Sequence, residues 1–234
     1  MCLHQSIQRE ELIPRILADV ALNEEPGKSY AYSNFGYCLL GRVLEATFAD
    51  GRSYEQIVRD EVLAPCGITN ASIGDPNEEN VGYYTTTTQA KEDADSSDVV
   101  FALKHQSDVS NAQEQRMDAH GGWVMSTDDI VRFACALDED GKLLTKESVD
   151  IMKTPLPQSG NYGIGLFIHA CGNVWHTGAL QGTASVFVKT HNYGGLTWAL
   201  ALNTTSAEHA GLDEIDPFAW SCVPEVLKLA DWTE

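Results

Sequence analysis

Two short runs hold side chains whose types suit acyl transfer: Tyr32-Ser33-Asn34 and His176-Thr177-Gly178. Moving an acyl group takes a nucleophile, a group that carries its proton, and donors aimed at the developing oxyanion. A phenol can carry a proton, a carboxamide offers two donors and an acceptor, and an imidazole is mostly neutral near pH 7 where an ammonium is charged. Each run also has a plainer reading. Asn34 suits the N-cap of the helix after it, and His176 suits a strand end where a neighbour satisfies it. Three-residue patterns arise by chance, so their weight comes from their surroundings.

Those surroundings read as helices first and strands later. A helix is expected over residues 10–22, with Leu12, Ile13, Ile16, Leu17, Val20 and Ala21 near helical spacing and a Pro26-Gly27 turn beyond. A second begins just after Asn34, and its face of Leu39, Leu40, Val43, Leu44 and Thr47 predicts burial. Ser53 and Gln56 form a capping box for a third, running to about Val62 and closed by Ala64-Pro65-Cys66-Gly67. Residues 75–117 lose all periodicity and read as an irregular polar insertion, either a binding loop or a mobile one. Ser126 and Asp129 cap a further helix with Ile130, Val131, Phe133, Ala134 and Leu137 on its apolar side, and a short helix follows near residues 146–152. Beyond Pro157 the runs 162–169, 174–177, 184–189 and 196–202 predict an antiparallel meander, with a hairpin loop at His191-Asn192-Tyr193-Gly194-Gly195. Pro217 is expected in the first turn of a closing helix to about Leu229, which packs Val223, Val226, Leu227 and Ala230 on the sheet. The whole predicts one α+β domain over residues 1–234.

Composition narrows the partners. A formal charge of −19 repels phosphates, which excludes nucleic acid and anionic membrane surfaces and is best explained as a solvated acidic surface. No apolar run approaches the roughly 20 residues of a membrane span, and Met1-Cys2-Leu3-His4-Gln5 has no secretory pattern. The cysteines, Cys2, Cys38, Cys66, Cys135, Cys171 and Cys222, show no C-x-x-C and no histidine at ligand spacing, so no metal or cofactor is expected and the thiols read as reduced.

Taken in order, four segments resemble a known family. They are Pro26-Gly27 with Tyr30-Ala31-Tyr32-Ser33-Asn34-Phe35-Gly36-Tyr37-Cys38-Leu39-Leu40-Gly41, then Gly121-Gly122-Trp123-Val124-Met125-Ser126-Thr127-Asp128-Asp129, then Tyr162-Gly163-Ile164-Gly165-Leu166, and His176-Thr177-Gly178-Ala179-Leu180-Gln181-Gly182. The set is similar to the class C β-lactamase and penicillin-binding-protein-like serine hydrolases, which include esterases and D-aminopeptidase-like enzymes. The resemblance implies a β-lactamase/transpeptidase-like α+β fold. It implies that Tyr32 is the proton-transfer phenol beside a cation, and that Asn34 orients a lysine and the substrate amide. It further implies that His176 stands where many relatives carry lysine, that Thr177 and Gly178 line the substrate strand, and that the Ala179 N–H is an oxyanion donor. A neutral histidine there holds a substrate carboxylate less firmly, which points to ester or peptide-like substrates over β-lactams.

One part of the pattern is absent from these residues. The family's nucleophile lies in a Ser-x-x-Lys before the tyrosine, and no serine in the sequence has lysine three residues on. Thr88-Gln89-Ala90-Lys91 comes nearest and falls on the wrong side of Tyr32, while Ser33 and Ser126 read as a motif's middle residue and a helix cap. The resemblance thus implies a partial domain lacking its amino-terminal part, with an open sheet edge and an apolar face that a second copy or a complementing segment would cover. Two functions follow as expectations: a serine hydrolase acting through an acyl-enzyme on a small ester or amide once an upstream Ser-x-x-Lys is supplied, or a non-catalytic module that keeps the cleft.

Overall fold

A computed structural model of the chain describes residues 9–21, 24–74, 84–89, 100–105, 117–137, 141–180, 182–206 and 212–229. The Thr88–Lys91 look-alike, Cys2, Ala230 and most of residues 75–117 fall wholly or partly outside that set. Helix α1 spans Arg9–Asp19 and α2 spans Asn34–Phe48. Helix α3, Tyr54–Val58, starts at the expected capping box, in which Ser53 accepts the Gln56 N–H while Gln56 Oε1 accepts the Ser53 N–H, and it runs into a π-helical turn, Arg59–Leu63. Two strands, β2 (Tyr84–Gln89) and β3 (Val100–His105), pair antiparallel inside the stretch expected to be irregular. A run of threonines, β-branched and polar, pairs well in a sheet without apolar alternation, so periodicity could not reveal it. Short strands β1 (Ser72–Ile73) and β4 (Trp123–Val124) pair antiparallel, and the helices α4 (Thr127–Ala136) and α5 (Lys146–Met152) begin at the caps Ser126 and Thr145.

The meander is β5 (Phe167–Ile168), β6 (Val174–Leu180), β7 (Thr183–Lys189) and β8 (Thr197–Leu202), all antiparallel and in that spatial order. A 3₁₀ turn, Tyr193–Gly195, closes the last hairpin. Strand β9 (Thr204–Ser206) leaves this sheet to pair parallel with β2. The closing helix α6, Leu212–Leu229, starts five residues ahead of Pro217, which therefore sits inside the helix, as does Pro224.

Alternation on β7 divides the core into layers. Ala184, Val186 and Val188 are buried against Ile215 of α6, with Trp198, Leu200 and Leu202 of β8 beside them. Phe187 points the other way and packs with Leu137, Leu166 and Val174, beneath α4. The sheet is thus covered by a helix on each face, the α+β layering expected. Helix α6 buries Ile215, Ala219 and Val223, a four-residue spacing, and leaves the expected core residue Val226 exposed. Helix α2 likewise departs from expectation: only Cys38 and Gly41 are buried, and Leu40, Val43, Leu44 and Phe48 are exposed. Its apolar stripe is real, but most of it stays exposed among the described residues: Leu39 is half-buried and the Arg52 guanidinium lies over the Phe48 ring at 5.0 Å. Cys38, Cys66, Cys135, Cys171 and Cys222 are all thiols outside any disulfide.

Gly163 marks where the segment before β5 meets the end of α5. A Cβ there would lie 2.4 Å from the Met152 carbonyl oxygen and 2.8 Å from Ile168 Cδ1. Backbone cannot yield as a side chain tip does, so Gly163→Ala is expected to lose about 1–3 kcal/mol, as overpacked cores do, read as a lower urea midpoint.

Candidate active site

Ser33, not Asn34, is the N-cap of α2: its backbone is extended and its Oγ accepts the Gly36 N–H at 3.0 Å. That places Asn34 in the first turn, exposed, with its carboxamide unpartnered among the described residues, and it places Tyr32 just ahead of the helix. Tyr32 is half exposed, and its ring lies 5.9 Å from that of Tyr37, 6.1 Å from Tyr162 and 6.3 Å from His176. The motifs at 32–34 and 176–178, far apart in sequence, are therefore neighbours, because the start of α2 abuts β6.

The hydrogen bonds around His176 run in one direction. Its Nδ1 lies 2.7 Å from the Thr177 carbonyl, which only accepts, so Nδ1 carries the proton. In the neutral ring Nε2 is then an acceptor, and the Tyr162 hydroxyl at 3.2 Å donates to it. The Tyr162 oxygen in turn accepts from the Tyr37 hydroxyl at 2.6 Å. The chain reads Tyr37 to Tyr162 to His176 to Thr177. Burial lowers the pKa of His176 against the opposing pull of the Thr177 carbonyl, which keeps the ring neutral near pH 7. Tyr162 is pushed well up, chiefly by burial. Tyr32 is also raised, by burial and then by Tyr37 and Tyr30, the opposite of what a neighbouring cation would do. Spacing in the sequence pointed to neither Tyr37 nor Tyr162 as a partner of His176. Both lie within segments that carried the resemblance, and that was the available signal.

Strand β5 pairs only with Val174 and Trp175, so from His176 onward one edge of β6 has no strand partner among the described residues. The Asn173 carbonyl accepts the His169 N–H on the β5 side. Backbone groups alternate along a strand in unbroken register, so the N–H and C=O of Thr177 and Ala179 face that same free edge. Gly178 lies opposite Ser185, and a Cβ on it would meet Ser185 Oγ at 2.9 Å. Its lack of a side chain relieves the cross-strand neighbour as well as clearing the edge.

The depressed His176 pKa carries a pH signature. The unfolded chain binds a proton at about pH 6.5, before the folded chain does. Stability should therefore fall as pH drops from about 6.5 toward the folded value and level off below it. His176→Gln should flatten that slope in urea titrations. Tyr162→Phe removes a hydrogen bond to the neutral ring, so the His176 pKa read by NMR should rise.

The arrangement sets a phenol beside a neutral imidazole, next to strand amides that face an unpaired edge among the described residues. The family described as Beta-lactamase matches residues 4–216. The chain belongs to the β-lactamase family. Its fold is similar to that of the octameric penicillin-binding protein homologue from Pyrococcus abyssi, at 19% identity and TM-score 0.67 over 93% of this chain and 48% of that one. The D-amino acid amidase from Ochrobactrum anthropi SV3 matches at 20% identity and TM-score 0.69 over 96% of this chain and 66% of its own. Simvastatin synthase from Aspergillus terreus matches at 18% identity and TM-score 0.54 over 81% and 53%. This β-lactamase-family chain thus spans about half to two-thirds of those proteins, and the likeness at such identities is one of fold. No curated protein matches it in sequence. Among the described residues no helix is long and apolar enough to cross a membrane.

Proposed function

We propose that the chain is the substrate-strand part of a serine hydrolase of the class C β-lactamase type, acting on a small ester or amide through an acyl-enzyme. The observation that carries this reading is the convergence of Tyr32 and His176 beside the free edge of β6. The nucleophile would come from a Ser-x-x-Lys outside these residues, placed before Tyr32. In that reading the incoming lysine supplies the cation that reverses the upward shift on Tyr32, and the phenol carries the serine proton to the leaving group. Asn34, with no competing partner, holds the lysine and the substrate amide. The Ala179 N–H faces the oxyanion from the strand edge. Neutral His176 contributes no charge at the strand, which favours uncharged ester or amide substrates over a β-lactam carboxylate.

A second reading, a ligand-binding module without turnover, draws support from the raised Tyr32 pKa, which keeps the phenol protonated in these residues alone. Intact-mass spectrometry after a fluorophosphonate separates the two. The chain alone should take no adduct, and the chain joined to an upstream Ser-x-x-Lys segment should take one, on that serine. An adduct on the chain alone would place the nucleophile among these residues, and none in either sample would leave the binding module.

A further inference from the structure

We infer that Cys38, Asp118 and His120 form a binding site for one divalent transition metal of the zinc class, on the flank of α2. Their ligand atoms, the Cys38 thiol, an Asp118 carboxylate oxygen and a His120 ring nitrogen, all lie within 4.8 Å of one another. Zinc bonds of about 2.0–2.3 Å set tetrahedral ligand atoms roughly 3.3–3.8 Å apart. The Asp118 Oδ1 to His120 Nδ1 edge is already 3.5 Å, and the edges to sulfur close with shifts of about 1 Å, within a rotamer's reach.

A second observation points to an occupant. His120 Nδ1 is sealed from solvent and has no hydrogen-bond partner, although it faces a carboxylate oxygen. Buried polar atoms are seldom left so, because each costs a desolvation penalty of about 1–3 kcal/mol. A cation between the nitrogen and the oxygen would give the nitrogen its partner. The carboxylate is held as metal ligands are held from behind: Arg42 donates to Oδ2 and the Ala119 N–H donates to Oδ1 at 2.6 Å. Charge also balances. Arg42 faces two carboxylates, Glu45 at 3.3 Å and Asp118, which sums to one net negative charge, and a Cys38 thiolate would bring the group to the charge a divalent ion offsets. Binding releases the thiol proton, and affinity should therefore rise with pH.

The fold builds the site by close approach. Gly41, one turn beyond Cys38 on α2, meets Ala119 so tightly that an added Cβ would lie 2.8 Å from the alanine Cβ. That contact draws the loop of residues 118–120 against the buried thiol. The metal would pin this loop, which leads into β4, to the helix that carries Asn34, with the fourth position left to water. Spacing along the chain could not suggest it, because the cysteine lies on a different element from the other two ligands.

Cobalt(II) titration of the full 234-residue chain tests the site, with cobalt alone as probe and no activity needed. One equivalent should bind and give thiolate-to-cobalt charge-transfer absorption with tetrahedral visible bands. Cys38→Ala and His120→Ala should each abolish the charge-transfer band and weaken binding by more than the 10–100-fold typical of losing an outer-shell partner. Cys171→Ser, which removes the surface thiol 2.9 Å from His169 Nδ1, should leave both unchanged. A wild-type chain without the band overturns the site, as does a band that survives Cys38→Ala or vanishes with Cys171→Ser. Should Cys38→Ala not fold, His120→Ala decides the question in the same way, since that side chain is partly exposed.

Discussion

Replacing Tyr32 by phenylalanine, in the chain completed with an upstream Ser-x-x-Lys segment, should slow acylation by about 10²- to 10⁴-fold, the range general acid–base groups contribute. The expectation follows from where the phenol stands. Its hydroxyl is bound to nothing among the described residues, it is half exposed, and its ring borders His176 and Tyr162 at the mouth of the free β6 edge. A hydroxyl without a structural bond can be removed at little cost to the fold, so the loss should appear in the burst rate of an activated ester while the circular dichroism and urea midpoint stay as they are. A phenylalanine variant that acylates at the original rate would take Tyr32 out of the proton path.

The second large effect concerns stability. Asp118→Ala, measured with chelator present so that no metal contributes, should cost about 3 kcal/mol, the lower end of what breaking a buried ion pair costs. Asp118 is nearly fully buried, accepts from Arg42 and from the Ala119 N–H, and lies between α2 and the loop before β4. Its loss strands the guanidinium, whose Nε is already buried without a partner. The cost sits at the lower end because Arg42 is about a quarter exposed and keeps Glu45. Urea denaturation reads the loss as a drop in midpoint. A change below about 1 kcal/mol, typical of surface pairs, would mean that solvent reaches Arg42 and screens it.

Much of the frame could be read in advance. The Ser53 and Ser126 helix starts follow from side-chain oxygens placed before helical runs, and the meander follows from short β-rich runs between turns. Local chemistry decides such features, and local chemistry is what a sequence displays. Pro217 misled because proline favours first turns, yet α6 already has a turn ahead of it, formed by Leu212 and the residues after it. The apolar stripe of α2 misled in another way, since periodicity states which face is apolar and not whether anything covers it.

By itself the sequence determined the α+β class, the motifs at Tyr32–Asn34 and His176–Ala179 and the family they resemble, because spacing along one chain carries all three. Only the tertiary structure decided that Ser33 rather than Asn34 caps α2, that Tyr37 and Tyr162 hand hydrogen bonds to a neutral His176, and that Cys38 lies against Asp118 and His120. The cap is a local bond, settled by which of two neighbouring side chains meets the Gly36 N–H; the other two depend on distances between segments remote in the chain, and packing of one element on another sets such distances, where no local pattern records them.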